Sequence, residues 1–321
     1  MAAAFELEHV IANLGTPTEP TEQAVREFLR GFLGDPMVVE WPRWFWKPIL
    51  HGIVLRRRPA RVARLYRNIW SEQGAPLRVQ TESMVAELAA QLPTTAKASS
   101  AYRYGLPSIE NSIQQAFSRS KLVVFTNLFP QRTAASSGTA DWEARRVAAA
   151  LGRGKDLTVA PLSPTDGGYV QALANRARTA QELFAQGSAE HLLVSFHSIP
   201  ESVNRRERGV YTADCKATYD ALIQSLDWDP DQASLAYQSV FGPAKWVGPA
   251  TYDRLAELAK DGVSRLLVTT PGFLCDGLET LEEIAVEGRR TFLDAGGQEM
   301  HCANAVSGHP DLLKSLAALG R

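Results

Sequence analysis

The chain has few cysteines and almost no net charge. Cys215, Cys275 and Cys302 are odd in number and widely spaced among 321 residues, so neither a disulfide framework nor a four-thiolate metal cluster is supported. The formal net charge of -1 argues against bulk nucleic-acid binding, which needs a strong basic excess. No run of about 18 apolar residues occurs, and residues 1–6 lack the basic and apolar regions of a secretory signal. We therefore expect a cytoplasmic protein with reduced thiols.

The sequence also lacks the glycine patterns of nucleotide-binding loops, G-x-G-x-x-G and G-x-x-x-x-G-K, so a nucleotide is not implied. It contains instead an alternation of two patterns. Strand-like runs lie at residues 10–14, 98–104, 122–126, 157–160, 191–196, 234–238 and 265–269. Amphipathic, helix-like segments lie between most of them, at residues 21–32, 82–92, 139–151, 169–184, 211–226 and 252–260. This alternation predicts an α/β fold with parallel sheets and right-handed crossovers.

A polar, glycine-containing break at residues 151–156 lies close to mid-chain. A chain of 321 residues with 45% hydrophobic content can bury two cores. We therefore predict an N-terminal domain at 1–155 and a C-terminal domain at 156–304, each a parallel sheet flanked by helices. Residues 305–321 contain a helical pattern at 309–319 that could pack back on the first domain or stay with the second.

A row of acids follows the apolar run at residues 266–268. Asp276, Glu279, Glu283 and Glu287 are three, four and four residues apart, so an α-helix starting near Asp276 would place all four carboxylates on one face. We call these four residues the acidic row. Like charges at such spacings repel one another. The run before the row predicts a parallel strand, and open α/β sheets bind ligands at the carboxyl ends of their strands. The alternative is a solvated acidic helix face.

A second buried-strand pattern, at residues 192–196, ends in His197 just before a proline-marked loop. A histidine at a strand end often has only an orienting role, which is the alternative to a catalytic one. The carboxyl ends of parallel strands meet at one edge of a sheet, so one sheet would direct His197 and the acidic row at the same cleft.

Residues 37–58, called here the lip, interrupt the alternation. Three of the seven tryptophans fall within six residues of the lip, and a triple arginine at 56–58 ends it. Aromatic side chains with basic residues nearby are typical of a membrane-interface edge. The side chains predicted to form this edge are Trp41, Trp44, Phe45 and Trp46. The alternative is an internal hydrophobic cluster capped by solvated arginines.

Six motifs together resemble the ferrochelatase family in order and spacing. They are Asn13-Leu14-Gly15-Thr16-Pro17, Leu65-Tyr66-Arg67-Asn68-Ile69 with Gly74-Ala75-Pro76-Leu77, Ser195-Phe196-His197-Ser198-Ile199-Pro200, Tyr237-Gln238-Ser239-Val240-Phe241-Gly242-Pro243, Trp246-Val247-Gly248-Pro249, and Pro271-Gly272-Phe273 leading to the segment 278–284. The resemblance covers nearly the whole chain. The lip is similar to that of the bacterial enzymes that act on protoporphyrin.

The resemblance implies two similar Rossmann-like domains with a porphyrin cleft between them. It implies insertion of ferrous iron into protoporphyrin IX to form protohaem, with iron as substrate, no tightly bound cofactor and no iron–sulfur cluster. His197 matches the essential histidine, a proton acceptor or transient iron ligand, and Glu279 matches the facing glutamate, which assists proton removal or metal handling. Asp276 and Glu283 match an acidic path for protons or metal, and Glu287 extends it.

Other positions also match the family's porphyrin pocket. Arg103 matches a basic residue that meets a propionate, Trp246 matches an aromatic beside the porphyrin, and Tyr66 and the loop 130–138 are expected to line or shape the cleft. Two positions depart from the pattern: Gly277 stands where some relatives carry a histidine, and Arg132 occupies a site that is often aromatic. The lip implies peripheral attachment to an anionic membrane, at its inner face.

Two other functions remain open on the sequence alone. A tetrapyrrole carrier or sensor would bind porphyrin without turnover, but it gains nothing from mutually repelling carboxylates. A chelatase that loads another metal, such as cobalt or nickel, or another tetrapyrrole, such as coproporphyrin, would favour a more basic cleft without a lipophilic lip.

Overall fold

The computed structural model of the protein describes residues 4–185, 187–240 and 244–320. Residues 241–243 of the motif at 237–243 lie outside the described residues. The chain forms two compact units, Met1–Leu162 with Leu316–Arg321, and Ser163–Ser315. The limits of 155 and 304 inferred from the sequence remain predictions of the domain organisation.

The first unit is built on a four-stranded parallel sheet in the order β2-β1-β3-β4. Its strands are β1 (Phe5–Asn13), β2 (Ala96–Tyr102), β3 (Ser120–Asn127) and β4 (Leu157–Val159). The central strand β1 is fully buried from Glu8 onward, as expected for a strand covered on both faces by helices.

The second unit repeats this topology, with a parallel sheet in the order β6-β5-β7-β8. Its strands are β5 (His191–His197), β6 (Ala233–Gln238), β7 (Arg265–Thr269) and β8 (Glu299–Cys302). Six consecutive residues of β5 are buried, and only the final His197 is half-exposed. The predicted α/β fold with two parallel sheets is confirmed.

Twelve α-helices lie in the described parts of the chain. They are α1 (Glu22–Gly34), α2 (Arg43–Ile49), α3 (Leu55–Ile69), α4 (Pro76–Gln91), α5 (Ile109–Arg119), α6 (Thr139–Ala150), α7 (Gly167–Gln181), α8 (Glu201–Arg206), α9 (Val210–Leu226), α10 (Thr251–Lys260), α11 (Arg289–Asp294) and α12 (Pro310–Ala318). Side chains cap several of them: the Thr21 oxygen accepts from the Ala24 N–H, and Asp166 accepts from the Tyr169 N–H.

Three segments of the described ranges are π-helices, with hydrogen bonds between residues five apart: Leu50–Val54, Ala134–Gly138 and Glu279–Gly288. Two of these follow equivalent strands of the two units, because Ala134–Gly138 comes after β3 and Glu279–Gly288 after β7. Insertions of this kind are frequent at functional sites. The prediction that an α-helix carries the acidic row from Asp276 onward is therefore wrong.

Some elements differ from the sequence prediction. All seven predicted strands are present, but β8 was not expected, and neither were α3 and α5. The lip is largely helical, since α2, the π-helix Leu50–Val54 and the start of α3 run through it without interruption. Within the described residues, no helix is long and apolar enough to cross a membrane.

Candidate functional site

His197 is the last residue of β5, and it pairs in register with Gln238 at the end of β6. Both residues therefore lie at the carboxyl edge of the second unit's sheet, where α/β folds bind ligands. The carbonyl of His197 accepts a hydrogen bond from the buried hydroxyl of Tyr211, at 2.5 Å. This contact fixes the backbone from which the imidazole projects.

The hydrogen bond of the His197 ring decides its tautomer. Nδ1 lies 2.6 Å from the carbonyl oxygen of Ser198. A carbonyl only accepts, so Nδ1 carries the proton and the neutral ring keeps its lone pair on Nε2. The imidazole is thus prepared to accept a proton or to ligate a metal through Nε2.

The acidic row begins outside the helix. Asp276 precedes the π-helix, and its Oδ1 accepts from the Thr280 hydroxyl at 2.9 Å. Glu279 opens the π-helix, and its backbone carbonyl accepts from the side-chain amide of Gln238 at 3.0 Å. Gln238 is the last residue of β6 and pairs with His197. Its bond therefore ties the start of the π-helix Glu279–Gly288 to the carboxyl edge of the sheet.

Glu283 accepts hydrogen bonds at both of its carboxylate oxygens. Its Oε1 accepts from the Ser239 N–H at 2.7 Å, and its Oε2 accepts from the Ser239 hydroxyl at 2.6 Å. Burial, followed by the negative charge of Glu279, raises the pKa of Glu283, while Ser239 and His197 act in the opposite direction. His197 and Glu279 therefore lie near enough to Glu283 for their charges to act on its carboxyl group.

Glu287 lies one step further along the row. Its Oε2 accepts from the Tyr252 hydroxyl at 3.2 Å, and the same hydroxyl lies 3.0 Å from the carbonyl oxygen of Glu283. Burial and the charges of these two glutamates raise the pKa of the Tyr252 phenol, which therefore stays a protonated donor. Neighbouring side chains therefore bind the carboxylates of Asp276, Glu283 and Glu287.

The absence of a side chain at Gly277 leaves room for the carboxylate of Glu279. A Cβ built at position 277 would lie 3.1 Å from Glu279 Oε2, closer than most real contacts. A histidine at this position would need Glu279 to move slightly. The carboxylate of Glu279 thus lies close to the chain at Gly277.

Trp246 lies against the loop that follows His197. It forms a backbone bridge with Pro200, and the Ser198 hydroxyl donates to the carbonyl of Val247 at 2.7 Å. The structure therefore brings together, in the second unit, the predicted residues His197, the acidic row and the Trp246 segment.

The remaining predicted pocket residues belong to the first unit. Arg103 follows β2 and forms an ion pair with Asp35 at 2.7 Å, while its Nε donates to the Thr139 hydroxyl. Asp35 also accepts from Tyr104 and from the Met37 N–H, each at 2.8 Å. These donors hold the pKa of Asp35 below its usual value, although burial opposes them. Asp35 therefore anchors both Arg103 and the start of the lip.

Tyr66 and the loop 130–138 have different surroundings. Tyr66 is buried in α3, and its ring meets that of Trp70 edge to face, with centroids 6.0 Å apart. The loop 130–138 contains the π-helix Ala134–Gly138, and Arg132, which precedes that helix, is exposed.

The lip exposes some of its aromatic side chains and buries one. Trp44 is 79% exposed, and Trp41 and Phe45 are each 46% exposed. Trp46 is 9% exposed, and its indole N–H donates to the Leu33 carbonyl at 2.7 Å. The prediction of Trp46 as part of an exposed edge is therefore wrong, since this ring anchors α2 to the end of α1.

Sequence reasoning missed three residues that organise these sites: Ser239, Tyr252 and Asp35. Ser239 belongs to one of the six motifs, which by itself indicates no role for it, and Tyr252 marks only the start of a helix-like segment. No sequence signal marks Asp35, whose importance comes from donors far apart in the chain. Among the described residues, no group of three or more His, Cys, Asp or Glu side chains is arranged to hold a metal ion.

The fold is shared with solved metal chelatases. SirB from Bacillus subtilis with Fe3+ aligns over 98% of this chain and 93% of its own, with a TM-score of 0.55 and 11% identity. The sirohydrochlorin chelatase SirB from Bacillus subtilis subspecies spizizenii, in complex with cobalt, aligns over 97% and 92%, with a TM-score of 0.52 and 10% identity. At such low identity these structures show the fold alone.

Sequence comparison identifies the family. The ferrochelatase family model matches residues 9–321. The ferrochelatase of Neisseria meningitidis serogroup C is 38% identical over 316 residues, which cover 97% of this chain and 91% of the relative. The ferrochelatase of Nitrosomonas europaea is 38% identical over 307 residues, covering 94% and 83%. The chain belongs to the ferrochelatase family and is a metal chelatase, so the resemblance found in the sequence is confirmed.

Proposed function

We propose that the chain inserts ferrous iron into protoporphyrin IX to form protohaem, with His197 and the acidic row as its chemical centre. The observation that carries the proposal is the hydrogen bond from His197 Nδ1 to the Ser198 carbonyl, because it leaves Nε2 as an acceptor. This acceptor lies at the sheet edge where Gln238 binds the first residue of the π-helix Glu279–Gly288. Membership of the ferrochelatase family supports the same activity.

Insertion exchanges two pyrrole protons for one ferrous ion, so the enzyme must accept protons and remove water from the metal. His197 Nε2 accepts a pyrrole proton or ligates the iron transiently. Glu279 assists proton removal or metal transfer. The raised pKa of Glu283 lets that carboxyl hold a proton nearer neutral pH than an exposed glutamate does, which suits a relay along the row. Asp276 and Glu287 extend this path at its two ends.

Anaerobic incubation with ferrous iron and either protoporphyrin or coproporphyrin tests the function, with the Soret band followed over time. We expect conversion of protoporphyrin to protohaem. Conversion of coproporphyrin alone would identify coproporphyrin, rather than protoporphyrin, as the substrate. Insertion of cobalt or nickel alone would show that the metal substrate is not ferrous iron. A bound porphyrin that never acquires metal would identify a carrier or sensor, which the mutually repelling charges of the acidic row disfavour.

Arg103 is proposed to bind a porphyrin propionate. The guanidinium has five N–H donors, and its bonds to Asp35 and Thr139 use two of them. Because these bonds fix its plane, the guanidinium could bind a propionate without further ordering of its side chain. Trp246 and Tyr66 remain proposed as aromatic residues of the pocket.

The lip is proposed to attach the enzyme peripherally to an anionic bilayer, from which protoporphyrin is taken. Trp44, Trp41 and Phe45 expose their rings, and Lys47, Arg56 and Arg57 are exposed nearby. Each basic residue near an anionic surface adds about 1 kcal/mol, and this attraction weakens with salt. Porphyrin is poorly soluble in water, so an enzyme that contacts the bilayer meets its substrate there.

Replacement of the two exposed aromatics in Trp44→Ser/Phe45→Ser is expected to weaken cosedimentation with anionic vesicles at low salt. It should also raise the apparent KM for vesicle-borne protoporphyrin with little change in kcat. Trp142→Ser is the matched control, since Trp142 is 52% exposed on α6 of the same unit but outside the lip. Equal vesicle binding by the double variant and the control would show that the lip is not a membrane edge.

The cysteine content predicts that no iron–sulfur cluster is present, because Cys215, Cys275 and Cys302 cannot supply four thiolates within one chain. Protein purified without oxygen should show no visible charge-transfer bands and no labile sulfide. A stoichiometric sulfide content would contradict this prediction.

A further inference from the structure

Ser239 has an unusual backbone conformation immediately after β6. Its φ of +65° lies in the left-handed region, which favours glycine and which few other residues adopt. Such a conformation is energetically unfavourable and persists only where surrounding contacts impose it. The contacts of Ser239 should therefore show what holds it in this conformation.

Within the part of the chain that the structure describes, the hydrogen bonds of Ser239 go to one carboxylate. Its N–H and its hydroxyl bind the two different oxygens of Glu283, at 2.7 and 2.6 Å. A carboxylate held at both oxygens cannot rotate about its last bond. Charge-assisted hydrogen bonds of this kind are shorter and stronger than neutral ones, so the pair is a firm attachment.

The residue before Ser239 holds the same helix at a second point. The side chain of Gln238 donates to the Glu279 carbonyl and accepts from the Ser195 hydroxyl, which lies 2.7 Å from the Thr251 hydroxyl. The backbone carbonyl of Gln238 accepts from the Ser198 N–H, next to His197. The end of β6 therefore contacts the residue after His197 on one side and the first residue of the π-helix Glu279–Gly288 on the other.

We propose that Ser239 is a positioning residue for metal insertion, whose left-handed backbone directs both of its donors at Glu283 and so keeps that carboxylate in line with Glu279 and His197. Ser239 itself touches neither metal nor porphyrin in this role. The inference rests on the proposed function, because it assumes that Glu283 takes part in the relay. Misplacement of a working group by about 1 Å can cost 10²-fold in rate, which is the scale of effect expected here.

Two substitutions at position 239 separate positioning from stability. Ser239→Gly removes the hydroxyl but suits the left-handed backbone, so we expect an unchanged or higher Tm and a kcat lowered by roughly 10- to 100-fold. Ser239→Thr keeps the hydroxyl but places a β-branched residue in the same conformation, so we expect a lower Tm and a kcat per folded molecule close to that of the parent. Porphyrin affinity, measured by fluorescence, should change little in either.

Asp227→Gly is the matched control, because Asp227 also has a left-handed backbone, with φ of +52°, at the end of α9 in the same unit. It should keep the parental kcat. In addition, Ser239→Gly should cost little more once Glu283→Ala is present, since no carboxylate is left to position.

The proposal is wrong if Ser239→Gly retains the parental kcat, if activity simply follows Tm across the two variants, or if the losses from Ser239→Gly and Glu283→Ala multiply. An inactive parent protein would instead overturn the proposed function, and the inference with it. Parental activity combined with an active Ser239→Gly variant would overturn this inference alone.

Discussion

Replacing His197 with alanine is expected to abolish metal insertion while porphyrin remains bound. The imidazole is positioned by two hydrogen bonds, one from the Tyr211 hydroxyl to its backbone and one from Nδ1 to Ser198. Loss of a general base typically costs about 10²–10⁴-fold in rate, and loss of a metal ligand would add to this. Turnover is measured anaerobically with ferrous iron, and porphyrin affinity is measured separately by fluorescence quenching.

His301→Ala provides the control for this experiment. His301 is half-buried on β8, where its Nε2 pairs with Glu299. Its loss should reduce stability slightly and leave kcat unchanged, because a single partly exposed pair of this type contributes little. A His197→Ala variant that keeps more than about a tenth of parental turnover would exclude His197 as the essential base, given the size of the expected loss.

The sequence predicted the placement of His197 for a simple physical reason. A strand in the middle of a parallel sheet is buried on both faces, so its sequence is a continuous apolar run, and the first polar residue after the run marks the ligand edge. The run at 192–196 follows this rule except at the buried Ser195, and β5 ends at His197. The same rule located β7 from Arg265 to Thr269 without error.

The π-helix could not be predicted from the spacing of the acids. Residues three and four apart share a face in an α-helix, and the sequence offers no local preference between hydrogen bonds of four and five residues. Contacts with residues distant in sequence favour the π-helix over the α-helix. The Gln238 side chain binds the backbone carbonyl of Glu279, and the Tyr252 hydroxyl binds the backbone carbonyl of Glu283. Both partners lie more than 30 residues away, beyond the range of any local pattern.

The lip shows the same limit for side-chain exposure. Trp44 and Trp46 are two residues apart in a segment without charged neighbours between them, yet one is largely exposed and the other buried. The difference comes from the Leu33 carbonyl, which accepts from the Trp46 indole at the end of α1. Composition identified a surface segment but not which rings face outward.

The two units have the same strand order, and this repetition gives the π-helices a common position. In each unit, the third strand along the chain is followed by a π-helix and then by an α-helix, α6 in the first and α11 in the second. The first unit carries serine and alanine there, and the second carries the glutamates of the acidic row. The π-helix at this position therefore carries acidic side chains in only one of the two units.

Glu279→Gln is expected to lower kcat by about 10²-fold, which is the second largest effect we predict. The substitution keeps the size of the side chain and the backbone bond from Gln238, so it removes only the charge and the ability to accept a proton. Because Glu279 raises the pKa of Glu283, its neutralisation should also let Glu283 ionise at lower pH. The kcat is measured over a range of iron concentrations, with Tm recorded for each variant.

Glu282→Gln is the comparison, because Glu282 lies in the same π-helix but only 7% of its surface is exposed, whereas Glu279 is half-exposed. A buried glutamate that is not part of the row should affect Tm more than kcat. A loss of kcat in Glu279→Gln but not in Glu282→Gln would identify the row of Asp276, Glu279, Glu283 and Glu287 as the working unit. Equal losses from both substitutions would mean that general disturbance of the π-helix, rather than the charge of Glu279, limits the reaction.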